Sequence, residues 1–351
     1  MQSTKKYILF VTLLAVFTGC RWVDEDLSDC ETDYHLDYEL KLVTNMTTEL
    51  ETQVSTQVEL TSVAEAILEH LSNVFTDYAH DVNLSFYDVQ GDSILLHNES
   101  HIMDNNQSSY TLYIPVRQYM HVAVANLQKA NPDGSQAPKE VELVGVEKCH
   151  TSHLDQLVNN VKNVIKSQTA GIFSARLPMN ILDGADQHFD VKLYMANSAS
   201  AIALDTLESG VRDIKVYASG FANGFNLADS TYYYRFTPLV KADELTVGDG
   251  RFTCFSAVTF PSKVAEESKA DDSHASTVAD EALWNYIIYA TCADGTITET
   301  TLAVRVPLFP GQFKLLRGKV QADGSVFPRE PYVGASVCLD WSDMPAWDVD
   351  L

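Results

Sequence analysis

Val82-Asn83-Leu84-Ser85-Phe86-Tyr87-Asp88-Val89 and Ser93-Ile94-Leu95-Leu96 stand on either side of Gln90-Gly91-Asp92. Apolar residues recur with a period near two in both runs, and a short glycine turn divides them, which predicts two strands joined in a hairpin. Downstream, 110–115 and 119–127 predict two further strands, with Pro115 and Arg117-Gln118 at their turn. The polar segments 97–109 and 131–139 read as loops, the second on the strength of Asn131-Pro132-Asp133-Gly134 and Pro138.

Upstream, Tyr34-His35-Leu36-Asp37-Tyr38-Glu39-Leu40-Lys41-Leu42-Val43 alternates in the same way and predicts a half-buried strand. A polar, threonine-rich stretch follows to about Leu60. Ala64, Ile67, Leu68, Leu71, Val74, Phe75 and Tyr78 then recur at spacings of three and four, so one amphipathic helix is expected over 63–79, with Ser62 and Glu65 as its capping box. Its apolar stripe must cover a sheet. A second helix is expected over 154–165, from Leu154, Leu157, Val158, Val161, Val164 and Ile165.

From Ile172 onward the pattern is nearly all short strands: 189–195, 200–207, 211–221, 231–236, 251–260, 284–292, 296–306, 312–321 and 332–340. The segment 263–282, rich in Glu, Asp, Ser, Lys and Ala, breaks that rhythm and reads as a surface loop. The expected fold is therefore mainly β, with two tandem antiparallel β-sandwich domains over 33–170 and 171–351 and one or two helices added to the first. No internal repeat of fixed length is present.

The N-terminus carries an address. Lys5 and Lys6 precede an apolar run from Tyr7 to Phe17, which ends at Thr18-Gly19-Cys20. That run is about eleven residues, whereas a helix spanning the hydrocarbon needs roughly twenty, so 1–19 reads as a cleaved signal peptide. Val16-Phe17-Thr18-Gly19-Cys20 is similar to a lipobox, which makes Cys20 the expected lipidation site and the outer membrane the expected location. An ordinary signal peptide ending near a cysteine is the plainer alternative. Acyl chains contribute roughly 0.8 kcal/mol per buried methylene, enough for near-permanent attachment when there is more than one. Residues 20–32 form an acidic tether. It resembles the surface-export signals of Bacteroidales lipoproteins, and it also reads as a plain solvated linker.

The chain holds 48 acidic against 24 basic residues, a formal net charge of −24, and loss of Lys5 and Lys6 makes it more acidic still. Such a surface repels phosphate backbones, so no nucleic acid is expected as a partner. Besides Cys20 there are Cys30, Cys149, Cys254, Cys292 and Cys338, an odd set without C-x-x-C spacing. Which of them pair is left open, and at least three are expected to be small buried apolar residues.

Catalytic signatures are missing: no G-x-S-x-G, H-E-x-x-H, Walker A, G-x-G-x-x-G or EF-hand loop occurs. Cys149-His150-Thr151-Ser152-His153 is the sole short cluster of metal-ligand types and reads as a loop, so no metal and no cofactor are expected. Glu39, Asp88 and Asp190 border predicted strands and read as solvated. Trp284, Trp341 and Trp347 fit either a core or a sugar-binding platform.

Several phrases taken together resemble a known family. Asp26-Leu27-Ser28-Asp29-Cys30, Leu84-Ser85-Phe86-Tyr87-Asp88-Val89-Gln90-Gly91-Asp92, Leu112-Tyr113-Ile114-Pro115, Tyr119-Met120-His121-Val122-Ala123-Val124-Ala125-Asn126-Leu127 and the segment from Phe189 to Ile202 look like FimB-type anchor subunits of type V fimbriae from Bacteroidales. The chain departs from that pattern where an arginine often stands near Met195, and at Glu31, where a proline usually follows the cysteine. The resemblance implies transthyretin-like sandwiches and an accessory protein rather than an enzyme, with fimbrillin subunits as partners joined by strand addition. It leaves open whether the chain sits at the base, shaft or tip of a fibre. A glycan-binding surface lipoprotein is the alternative from another class, and an envelope hydrolase is a third.

Overall fold

The computed structural model describes residues 32–36, 41–43, 46–54, 58–75, 81–102, 110–128, 137–158, 163–182, 187–248, 250–264 and 282–341. The signal segment, Cys20, Cys30, most of the acidic tether, Glu39, Trp347 and most of the 263–282 loop lie outside the described residues.

In chain order the elements begin with β1 (Thr32–Leu36), β2 (Lys41–Val43), α1 (Met46–Val54), α2 (Thr61–Val74), β3 (Asp81–Asp88), β4 (Leu95–Ile102), β5 (Tyr110–Ile114) and β6 (Gln118–Ala125). Next come β7 (Val141–Val144), β8 (His153–Gln156), β9 (Val164–Lys166), β10 (Phe173–Asn180), β11 (Lys192–Met195), β12 (Ser198–Asp205), β13 (Asp213–Ser219), β14 (Gly224–Asn226) and β15 (Thr231–Tyr233). The chain continues with β16 (Leu239–Lys241), β17 (Asp243–Leu245), β18 (Phe252–Thr259), β19 (Trp284–Thr291), β20 (Ile297–Val304), β21 (Phe313–Val320), β22 (Val326–Pro328) and β23 (Val333–Trp341).

These strands form a first sheet ordered β2-β11-β10-β6-β3-β4, a second ordered β17-β18-β12-β21-β22 and a third ordered β23-β20-β19-β13-β16-β9. A fourth, smaller sheet runs β15-β14-β8-β7, and β1 pairs with β5. The molecule is thus mainly β, as its alternation requires. Most pairings are antiparallel, but β2 with β11, β12 with β21 and β9 with β16 are parallel.

Side-chain alternation decides how the sheets stack. Val82, Leu84 and Phe86 on β3 and Ala123 and Ala125 on β6 turn towards the helices, where they join Val63, Ile67 and Leu71 of α2 in one core. Ala199, Ala201 and Ala203 of β12 close that core from the second sheet. Alanines there keep the sheet surface low enough for a helix layer to fit between two sheets. The other face of β12, with Ile202 and Leu204, packs on Val216, Tyr286, Ile288 and Leu302 of the third sheet. Tyr87, Val122 and Val124 on the far face of the first sheet meet Val141, Leu154 and Phe225 of the fourth. All eight β12 residues are buried because both its faces are covered. Each large side chain so buried contributes roughly 1.5–3 kcal/mol.

Four expectations need correction. Among the described residues of 154–165 there is strand and no helix: His153–Gln156 alternates half-buried and buried residues and is paired on both sides, with β7 and β14, and Val164–Lys166 is β9. A short apolar run cannot by itself tell strand from helix, and here the neighbouring edges decide. The polar stretch before Leu60 contains α1, whose threonines mask its periodicity. α2 begins at Thr61 with Leu60 as N-cap and no capping side chain, because a 3-10 turn over Val58–Leu60 leads straight into it. Finally, 97–102 is not loop but most of β4, a polar edge strand tied to β3 by Asn98, whose amide donates to Ser85 Oγ at 2.8 Å and Asn83 Oδ1 at 3.0 Å.

Candidate functional site

A strand in a sheet points the N–H and C=O of alternate residues to opposite sides, so a strand lacking a neighbour presents a row of unmet groups. β21 is such a strand over half its length. On one side it pairs with β12 from Phe313 to Lys319. On the other only Gly318, Lys319 and Val320 meet a strand, β22.

The rest of that edge is completed by side chains. The Phe313 amide donates to Glu49 Oε2 at 2.6 Å, and the Leu315 amide donates to Gln53 Oε1 at 2.8 Å. Gln53 Nε2 returns a bond to the Phe313 carbonyl at 3.0 Å. Glu49 and Gln53 lie four residues apart, on one face of α1. The amide and carboxylate of a helix thus occupy the positions that a neighbouring backbone would fill. Further along, the Arg317 amide donates to Glu330 Oε2 at 3.0 Å, and the Arg329 amide donates to the Arg317 carbonyl at 3.0 Å. An open trough lined by Thr52, Gln53, Phe313, Lys314 and Tyr332 runs beside this edge.

The helical layer is also latched to the second sheet by charge. Arg251 and Arg329 both reach Glu59, at 3.3 and 3.4 Å, and both reach Asp205, at 2.8 and 3.5 Å. The Arg251 guanidinium bonded to Asp205 holds that carboxyl below the usual carboxylate range.

A second concavity lies between the fourth sheet and the outer face of β10 and β11. Its floor carries Ser174 and Arg176 of β10 and Lys192 and Tyr194 of β11, and its wall carries Phe225 and Tyr232. Ser174 and Tyr194 are direct cross-strand partners. Tyr232 hydroxyl donates to the Ala196 carbonyl at 2.9 Å, and burial raises its pKa well above that of a free phenol.

The residues singled out from the sequence fall as follows. Cys149, Cys254 and Cys292 are buried thiols, and burial pushes Cys254 up to about 12. Cys149 opens a short 3-10 turn, His150 is exposed, and His153 Nδ1 lies 2.6 Å from the Thr151 carbonyl, so the cluster does not converge. Among the described residues no group of three His, Cys, Asp or Glu could hold a metal ion. Trp284 is fully buried and its indole N–H donates to the Val306 carbonyl at 2.9 Å, so it is core and not a platform. Asp88 faces Arg117 at 3.5 Å, and Asp190 faces His188 at 3.0 Å. Among the described residues no helix is long and apolar enough to cross a membrane.

Glu49 and Gln53 were not legible as site residues. Their spacing of four within Met46–Val54 is the signal that could have found them, once that segment is read as helix.

No protein-family model matches the chain, and no curated protein matches it. Among solved structures, it is similar to a candidate polysaccharide-binding protein from Bacteroides thetaiotaomicron, at 9% identity over 86% of this chain and 97% of that one, with a TM-score of 0.50. It is also similar to the fimbrial anchor protein Mfa2 from Porphyromonas gingivalis, at 13% identity over 75% and 90% of the two chains, with a TM-score of 0.40. The tip fimbrial protein Mfa3 from the same organism, in a C-terminally truncated form, aligns at 11% identity over 88% and 100%, with a TM-score of 0.39. At these identities the likeness concerns the fold, and the first of the three supports the mainly β sandwich architecture.

Proposed function

We propose that this chain is a lipid-anchored fimbrial accessory protein, held to the outer membrane through Cys20 and joined to fimbrillin by β-strand addition. The observation that carries the reading is the outer edge of β21, where the Phe313 and Leu315 amides are met by helix side chains instead of a strand. An incoming strand offers the same acceptors in regular register, and its alternate side chains would fill the trough beside Phe313. The division into 33–170 and 171–351 belongs to the same reading, with β10 and β11 bonding back into the first sheet. Neither catalysis nor a cofactor is assigned. The glycan-binding alternative drew on three tryptophans, and it loses Trp284 to the core.

Binding of a synthetic fimbrillin C-terminal strand peptide to the full chain tests the proposal. Association is expected, and it should tighten when Glu49→Ala and Gln53→Ala release the edge. No association with either form overturns strand addition at this site.

A further inference from the structure

We propose that the cleft between the fourth sheet and the outer face of β10 and β11 binds an acidic oligosaccharide, a chain of uronic acid units, with Tyr194 as stacking platform and Arg176 and Lys192 as carboxylate contacts. Tyr194 is 59% exposed although it stands on a strand paired on both sides, with β10 and with β2. A large planar ring left in water on a sheet floor presents the kind of surface that the C–H face of a pyranose covers.

Charge then narrows the ligand. The chain carries a formal net charge of −24, yet the charged residues lining this cleft are Arg176, Lys192 and Asp190. Asp190 is engaged by His188, whereas neither cation is held by a carboxylate among the described residues. Arg176 is exposed, lines the cleft and lies within hydrogen-bonding reach of the Cys149 thiol. Two such cations in so acidic a protein select an anionic ligand, and a guanidinium fork matches a carboxylate in bidentate geometry. Ser174 and Ser230 line the same cleft and offer their hydroxyls to a sugar's hydroxyl groups.

Around the ring itself the backbone is paired, Tyr194 with Ser174 of β10 on one side and with Val43 of β2 on the other, so that part of the floor offers side chains to a ligand. The cleft lies on a different sheet from the β21 edge, so its test succeeds or fails independently of fimbrial assembly.

The experiment is calorimetric titration of the full chain with a galacturonate oligomer and, in parallel, with a neutral galactose oligomer of the same length. Saturable binding of the galacturonate oligomer, weakening with added salt, is expected. Tyr194→Ala and Arg176→Gln should each lower affinity on the order of tenfold with unchanged thermal midpoints, and Lys192→Gln somewhat less. Absence of saturable binding, equal affinity for the neutral oligomer, or affinity indifferent to all three substitutions would overturn the proposal.

Discussion

Glu49 Oε2 accepts the amide of Phe313 at 2.6 Å across 264 positions of sequence. A nine-residue helix such as α1 is too short to persist alone in water, so its helicity depends on this docking and on Leu50 in the core beneath it. The dependence is mutual. Without α1 the first half of β21 exposes two amides and a carbonyl, the type of margin that recruits foreign strands.

Removing that acceptor should loosen the edge locally. Glu49→Ala and Gln53→Ala are each expected to cost roughly 1–3 kcal/mol, because a half-buried donor loses its partner, while Glu49→Gln, which keeps an acceptor, costs less. Hydrogen exchange should quicken at Phe313 and Leu315 and stay slow at Ala201 and Ala203, which lie in the fully paired middle of β12. Unchanged protection at Phe313 in both alanine variants would refute the role given to α1.

This contact also marks where sequence reasoning stops. Period-two alternation located most strands of the second and third sheets, and the spacing of Ile67, Leu71 and Val74 located α2, because burial imposes those periods directly. Backbone pairing imposes none. β4 exposes Leu96, Asn98 and Ser100 and carries histidine and glutamate between them, so an edge strand looks like polar loop. β8 buries only Leu154 and Gln156, and its strand character comes from partners lying far away, at Val141–Val144 and Gly224–Asn226. The β21 margin is recognised by main-chain atoms, which carry no residue signature, and the parallel pairing of β12 with β21 spans more than a hundred residues.

Two titratable groups on the first sheet, the buried His121 and the half-buried Asp81, predict opposing slopes of stability with pH. Burial lowers His121 from 6.5 to about 4, and its Nδ1 lies 3.1 Å from the Ser85 carbonyl. The unfolded chain takes up that proton first, so His121 makes stability fall as pH drops from about 6.5 towards 4, by on the order of 3 kcal/mol across the window. Burial raises Asp81 from 3.8 to about 6, so there the folded chain holds the proton, and its contribution is complete below 3.8 and lost as pH rises through 6. In urea unfolding between pH 4 and 6.5, His121→Phe should flatten the rise of stability with pH, and Asp81→Asn should steepen it. Parallel curves for wild type and both variants would contradict the assignment.

Gly220 and Gly295 have similar backbone angles, φ +97° and +90°, in different surroundings. A Cβ on Gly220 would lie 2.6 Å from the Trp284 Cα and 2.7 Å from the Leu283 carbonyl oxygen, both backbone atoms of the strand entrance that buries Trp284. A Cβ on Gly295 meets nothing within 4 Å. Both alanine substitutions incur the cost of positive φ, about 1 kcal/mol, but only Gly220→Ala must also move backbone that anchors the indole between Phe221 and Tyr286. Trp284→Ala sets the upper scale at roughly 3–5 kcal/mol for emptying that position. Chemical denaturation should therefore order the variants as Gly295→Ala, Gly220→Ala, Trp284→Ala in rising cost. Equal losses for the two glycine variants would mean that the chain passes Trp284 with room to spare, against the geometry described.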